Sequence, residues 1–206
     1  MRFSDNDFNF REVINKIVII KNVQIGEQLA SDKKKEKSDA ILCYCYIDEE
    51  CGISFEYLAD YITDNEKVFN NLKKDTMYKI RFENVKDDEY LIYKKDKTEI
   101  EDIDTKIDMI VEGYDKNEGT KELRTYPIFD HLRVKGYPDD CELYLVKEGL
   151  NTEKLFVKLY KTEENRTFGK LLNEPFQNFG VHRNDIIEIF TVKYQSGEII
   201  LVHQCK

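Results

Sequence analysis

The side chains with the chemistry to catalyse or to hold a metal are few in this chain of 206 residues: five cysteines and three histidines, among 41 carboxylates. His131, His182 and His203 are scattered. A thiol nucleophile needs a base and a lowered pKa, and a pairing such as Cys141 with His182 has nothing local to activate it. Cys43-x-Cys45, with Cys51 beyond, is not a zinc spacing and has no second half. In a strand Cys43 and Cys45 face one way with Ile41 and Ile47, as small core hydrophobes. No P-loop, dinucleotide glycine turn, His-Glu-x-x-His or Gly-x-Ser-x-Gly motif occurs. The residues therefore predict no catalytic group, no metal and no cofactor.

The carboxylates cluster as Asp48-Glu49-Glu50, Asp87-Asp88 and Asp139-Asp140. Acid–base or metal chemistry needs carboxylates that converge from different elements, whereas neighbours in one turn face water. The charge is uneven. Residues 120–206 hold 13 basic and 13 acidic residues, so the whole net charge of −9 lies in residues 1–119. Tyrosines crowd that same half. Tyrosine offers contact area at low entropic cost, and acids meet lysine or arginine on a partner. Asp48, Glu49, Glu50, Tyr57, Asp60 and Tyr61 are the binding residues this predicts, with the Asn173-Glu174-Pro175 loop and His182 as a second candidate surface.

The elements that would position these groups are short. Residues 16–25 and 40–47 read as strands rich in β-branched and aromatic residues. Ser31 to Ser38 is a charged run, read as a surface loop. Phe55, Leu58, Ala59 and Ile62 fall at helical spacing after Ser54, which predicts a helix over 55–62. A second short helix would follow from Asp64. Residues 76–84 and 89–93 predict a hairpin turning at Lys86-Asp87-Asp88. Residues 75–93 can be laid on residues 184–202 at a constant offset of 109, as a duplication would. Residues 94–105 read as a linker and 108–112 as one more strand. Pro127 opens a short helix.

From Cys141 the pattern becomes a series of short strands with turns at Glu163-Glu164-Asn165, Asn173-Glu174-Pro175 and Gln195-Ser196-Gly197. That spacing predicts a small bent barrel. Gly169 inside a strand predicts a bulge or a close crossing. The stretch Phe156-Val-Lys-Leu, Gly169-Lys-Leu-Leu-Asn173-Glu-Pro175 and Gly180-Val-His-Arg-Asn-Asp185 resembles a family of small bacterial β-rich domains of unknown function. The family pattern has Trp where this chain has Phe156, and Gly where it has Asn184. The resemblance covers residues 140–204 and implies a compact β-rich module in a bacterial cytosolic protein, with no reaction attached.

Composition sets the outer bounds. Hydrophobic residues are 41% and aromatic residues 12%, enough for a packed core, and no apolar run is long enough to span a bilayer. The N-terminus lacks the basic and apolar regions of a signal peptide, and an odd number of cysteines fits a reducing compartment. The expected protein is α+β and β-rich, with an acidic α+β module over residues 1–112 and an SH3-like or similar barrel over residues 113–206. The expected function is a non-catalytic bacterial cytoplasmic module that binds a basic protein through an acidic, tyrosine-rich surface, with an immunity- or inhibitor-type role as its concrete form. A nucleic-acid- or ribosome-associated barrel is the alternative, disfavoured because the barrel half carries no basic excess. A hydrolase with carboxylates in a cleft between the modules is the third reading. No membrane contact is expected.

Overall fold

The computed structural model describes residues 1–21, 38–69, 77–94, 103–114 and 117–206. Two compact units divide the chain, Met1–Asp115 and Lys116–Lys206. The charged run 31–37 and residues 95–102 of the expected linker lie outside the described residues.

Unit 1 is built on a curled sheet. Its strands are β1 (Lys16–Lys21), β2 (Ala40–Asp48), β3 (Gly52–Ile62), β4 (Lys67–Phe69), β5 (Lys79–Arg81) and β6 (Tyr90–Ile92), in the order β4-β3-β2-β1-β6 with β5 also on β3. β2 is buried along its whole length. Ile41, Cys43 and Cys45 pack with Phe3, Val18, Ile20 and Phe55 on one face. Leu42, Tyr44 and Tyr46 pack on the other with Ile103 and Ile110 of the helix α2 (Ile103–Tyr114). A strand covered on both faces loses its polar–apolar alternation, so β2 reads as one apolar run. Burial also pushes both β2 thiols well above their ordinary pKa, which leaves them unreactive.

The expected helix over 55–62 is instead the second half of β3. The pairing of β2 with β3 slips between Leu42 and Cys43: Cys43 faces Tyr57, Leu42 faces Ala59, and Leu58 is the extra residue of a bulge. The bulge reverses the facing of the strand. Phe55 and Tyr57 therefore enter one core while Leu58, Ala59 and Tyr61 enter the other. The resulting order of apolar residues imitates a helical period. Where the second short helix was expected, residues 67–69 form β4, and residues 70–76 of that expectation lie outside the described residues.

The hairpin expected at 76–93 does not form. β5 pairs with β3, β6 pairs with β1, and a four-residue helix α1 (Phe82–Val85) joins the two edges. Phe82, expected as a strand residue, turns into the core from that helix. The duplication falls with the hairpin. The strand expected at 108–112 lies within α2, as do residues 103–105 of the expected linker.

Unit 2 opens with α3 (Glu118–Arg124), whose Asn117 side chain caps the Thr120 amide. A 3-10 helix follows at Pro127–Leu132. Its strands are β7 (Arg133–Val134), β8 (Tyr137–Val146), β9 (Glu153–Glu163), β10 (Arg166–Leu171), β11 (Ile186–Lys193) and β12 (Ile199–Gln204). β8 to β12 run antiparallel in sequence, and β12 closes onto β8 in parallel, Val202 beside Tyr144. With an odd number of alternating strands the closing pair must be parallel. The closed barrel has no long free edge. Leu143, Leu145, Val157, Leu159, Leu171, Ile187, Ile189 and Leu201 fill it, with Leu123, Phe129 and Phe179 in the same core. Cys141 is part of that filling, its thiol pushed up to about 12 by burial.

Gly169 is where β10 crosses β9. The register slips between Phe168 and Gly169, and a Cβ added at Gly169 would lie 2.3 Å from Val157 Cγ2 and 3.1 Å from the Lys158 carbonyl oxygen. Glycine lets the two backbones approach at the bend that closes the barrel.

Candidate binding site

The connection from β10 to β11, residues 172–185, is long for a barrel turn and has no helix or strand of its own. Side-chain acceptors hold it instead. Phe156 N donates to Asn173 Oδ1 at 3.0 Å, so Asn173 joins the loop's start to β9. The Glu174 carboxylate takes His182 Nδ1 on one oxygen at 2.7 Å and the Arg183 amide on the other at 2.8 Å. Asp185 Oδ2 accepts the His182 amide at 2.7 Å. Phe179 sinks into the barrel core, and Lys147 Nζ donates to its carbonyl at 3.2 Å. Asn184 has φ +77, the left-handed region that asparagine tolerates better than most side chains.

Glu153, at the start of β9, fixes the tip. Its two oxygens accept the Phe176 amide at 2.9 Å and the Gln177 amide at 2.8 Å. Gln177 in turn donates to the Asn151 carbonyl at 2.9 Å and accepts the Asn151 amide at 3.1 Å. Between these ties Phe176 stands 97% exposed.

The ionisations follow the contacts. The Arg183 amide and the His182 ring hold the Glu174 carboxyl below its ordinary range. The same carboxylate raises the His182 imidazole above 6.5. Desolvation pushes the Glu153 carboxyl up, but its bonds from Gln177 and Phe176 outweigh that and hold it low.

Asn173, Glu174 and His182 thus sit together in one exposed, cross-linked loop. The six residues named in the acidic half do not form a surface. Tyr57, Tyr61, Asp60 and Asp48 are buried, and only Glu49 and Glu50 reach solvent. Tyr57 Oη donates to Asp60 Oδ1 at 2.9 Å, and Tyr61 packs edge-on against Tyr93. Asp48 binds the Glu50 and Cys51 amides at 2.8 and 2.9 Å, which shapes the β2–β3 turn, and it pairs with Lys79. Desolvation raises its carboxyl, and those contacts more than reverse the shift. The physical reason is that both faces of β2 and β3 are covered: Tyr57 enters the core with Phe3 and Phe55, and Tyr61 enters the one beneath α2.

The sequence reading missed Glu56. It lies at mid-strand in β3, 1% exposed, with the Lys106 ammonium of α2 at 3.3 Å. The Tyr78 amide donates to the same carboxylate, and Lys106 also donates to the Tyr57 carbonyl at 2.9 Å. Desolvation dominates and leaves the Glu56 carboxyl above 4.5. No motif marks it, because the partner arrives from an element fifty residues away.

Beyond the loop, a shallow cavity of about 210 Å³ opens at a barrel mouth, with Phe129, Ile189 and Leu201 among its lining residues and Arg166, Thr167 and Thr191 beside them. Among the described residues no group of three or more His, Cys, Asp or Glu side chains is arranged to hold a metal ion. No described helix is long and apolar enough to cross a membrane. Comparison with known protein families, with curated proteins and with solved structures finds no match.

Proposed function

We propose that this chain is a non-catalytic protein-binding module and that the β10–β11 loop of the barrel makes the contact. The observation that carries this reading is Phe176, 97% exposed on a backbone whose neighbouring amides are tied to Glu153. An aromatic side chain free in water costs the monomer solubility. Holding it in place beforehand removes part of the ordering cost of binding, and aromatic anchors of this kind dominate interface energies. Glu174, His182, Arg183 and Asn173 supply polar groups on the same loop.

The partner's basic character rests on the acidic surplus of residues 1–119, with Glu49 and Glu50 as its solvent-facing members in the β2–β3 turn. An immunity- or inhibitor-type role is the concrete form of the same reading. The test is quantitative affinity capture from native cytosol with wild-type chain and Phe176→Ala in parallel. A hot-spot aromatic is worth about 2 kcal/mol or more, or roughly thirty-fold in affinity. The expected result is a stoichiometric partner depleted at least tenfold by Phe176→Ala while the melting temperature stays put. A partner retained equally by both proteins, or none recovered by either, refutes the proposal.

A further inference from the structure

The ladder between β10 and β11 stops one bonded pair short, and the reason is local. Glu163 pairs with Arg166, so Glu164 and Asn165 form a two-residue turn, and both have positive φ, +48 and +65. Those are the angles of a type I′ turn, which bends Asn165 back towards β9. The pairing of β10 with β11 ends at Thr167 opposite Ile189 and would next bond Asn165 to Thr191, with Arg166 beside Phe190 between them. Asn165 belongs to the turn, so Thr191 is left without that partner. On its other side β11 bonds to β12 through even-numbered residues, since the Tyr194 amide donates to the Glu198 carbonyl at 2.8 Å in the register that sets Val192 against Ile200. The N–H and C=O of Thr191 therefore point together into the gap. This gap is the cavity at the barrel mouth, with Asn165, Arg166 and Thr167 on one side and Ile189, Phe190 and Thr191 on the other. Its apolar lining residues Phe129, Ile189 and Leu201 are buried members of the barrel core. A hydrogen bond of 3.0 Å between His131 Nε2 and the Ile199 carbonyl ties the 3-10 helix that carries Phe129 to β12. Thr162, opposite Thr167 on β9, has a buried hydroxyl that no hydrogen bond among the described residues satisfies.

We infer that this cavity binds a small, uncharged, planar heterocycle with an amide edge, an N–H beside a C=O, as a free pyrimidine base carries. Three features select that class. Thr191 offers a donor and an acceptor side by side. An amide edge answers both, whereas a carboxylate answers the N–H and sets its second oxygen against the Thr191 carbonyl. Phe129, Ile189 and Leu201 supply apolar surface for the ring, and a few convergent polar groups beside such surface are the general make-up of a ligand site. The charged residues of the lining are Arg166 and Glu188, whose charges cancel, so no net field favours an ion. Size sets the upper limit. At about 210 Å³ the space is smaller than the roughly 300–1,000 Å³ that holds a drug-sized molecule, which confines the guest to one or two rings.

The test is a titration of the full, isotopically labelled chain followed by amide NMR, with uracil, 1,3-dimethyluracil and benzoate as probes. Uracil should shift the Asn165, Phe190 and Thr191 amides with a dissociation constant on the order of millimolar or tighter. 1,3-Dimethyluracil keeps the ring and loses the N–H, and it should bind roughly tenfold more weakly, as should benzoate. Thr191→Pro removes the N–H at an edge position that tolerates proline and should weaken uracil roughly tenfold. Thr191→Val keeps the backbone pair and should bind within about threefold of the wild type. Circular dichroism and melting temperature confirm that each variant is folded, and the three-probe comparison on the wild type needs no variant at all. Four results overturn the inference: no shift with saturating uracil, equal affinity for 1,3-dimethyluracil or benzoate, shifts confined to other parts of the chain, or an oligouridine that binds where uracil does not. Uracil binding indifferent to Thr191→Pro overturns it as well.

Discussion

Removing the Lys106 ammonium is the sharpest test of the buried charge beneath α2. Glu56 is 1% exposed and Lys106 15%, with 3.3 Å between the charged atoms. At an effective dielectric of about 20, a pair at that distance attracts by about 5 kcal/mol, most of which offsets desolvation. In Lys106→Met the carboxylate can escape by taking a proton. From an ordinary value of 4.5 that costs about 3.4 kcal/mol at pH 7, which caps the charge penalty. Glu56 already sits above 4.5, so part of the cap is spent in the wild type, and the lost bond to the Tyr57 carbonyl adds about 1 kcal/mol. The expected loss at pH 7 is about 2–3 kcal/mol. The sign of the pH dependence follows. A carboxyl whose folded pKa is raised contributes fully below its unfolded value and loses that contribution as pH rises through the folded one. Lys106→Met raises the folded pKa further, so its cost shrinks below about 1.5 kcal/mol near pH 4 and grows towards neutrality. Glu56→Gln keeps an acceptor for the Tyr78 amide, so the double variant should recover at least 1 kcal/mol at pH 7 relative to Lys106→Met. Urea unfolding at pH 4, 5.5 and 7.5 measures all four proteins. A cost independent of pH, or a double variant no more stable than Lys106→Met, refutes this account.

Two further outcomes are expected. Gly169→Ala drives a methyl against Val157 Cγ2 and should cost about 1–3 kcal/mol by urea unfolding, with the penalty largely absorbed in the Val157→Ala background, where that methyl is gone. His182 should titrate above 6.5 in a proton NMR series, with its contribution to loop order full below 6.5 and lost as pH rises through the folded value; Glu174→Gln, which removes the main cause of the rise, should shift that titration down.

Legibility differed sharply between the halves. In unit 2 each strand faces one core and water on its other side. Leu155, Val157 and Leu159 keep strict alternation, and the turns carry the polar residues that turns require. Gly169, Asn173 and Asn184 announced a close crossing, a loop tie and a tight turn, and all three do that work locally. In unit 1 the strands β2 and β3 carry two cores at once, so period-two patterning vanishes and a single bulge at Leu58 turns a strand into the likeness of a helix.

The candidate site divides along the same line. Residue types and short-range spacing determined the β-rich class, the barrel's strands and the Asn173–Glu174–His182 loop, because those contacts close over a few residues or within one ladder. Only the tertiary structure decided that Phe176 is held out in water by Glu153, that Tyr57 and Tyr61 turn inward, and that Glu56 meets Lys106. Exposure and charge pairing are properties of what lies on the other side of a residue, and that neighbour comes from a distant part of the chain.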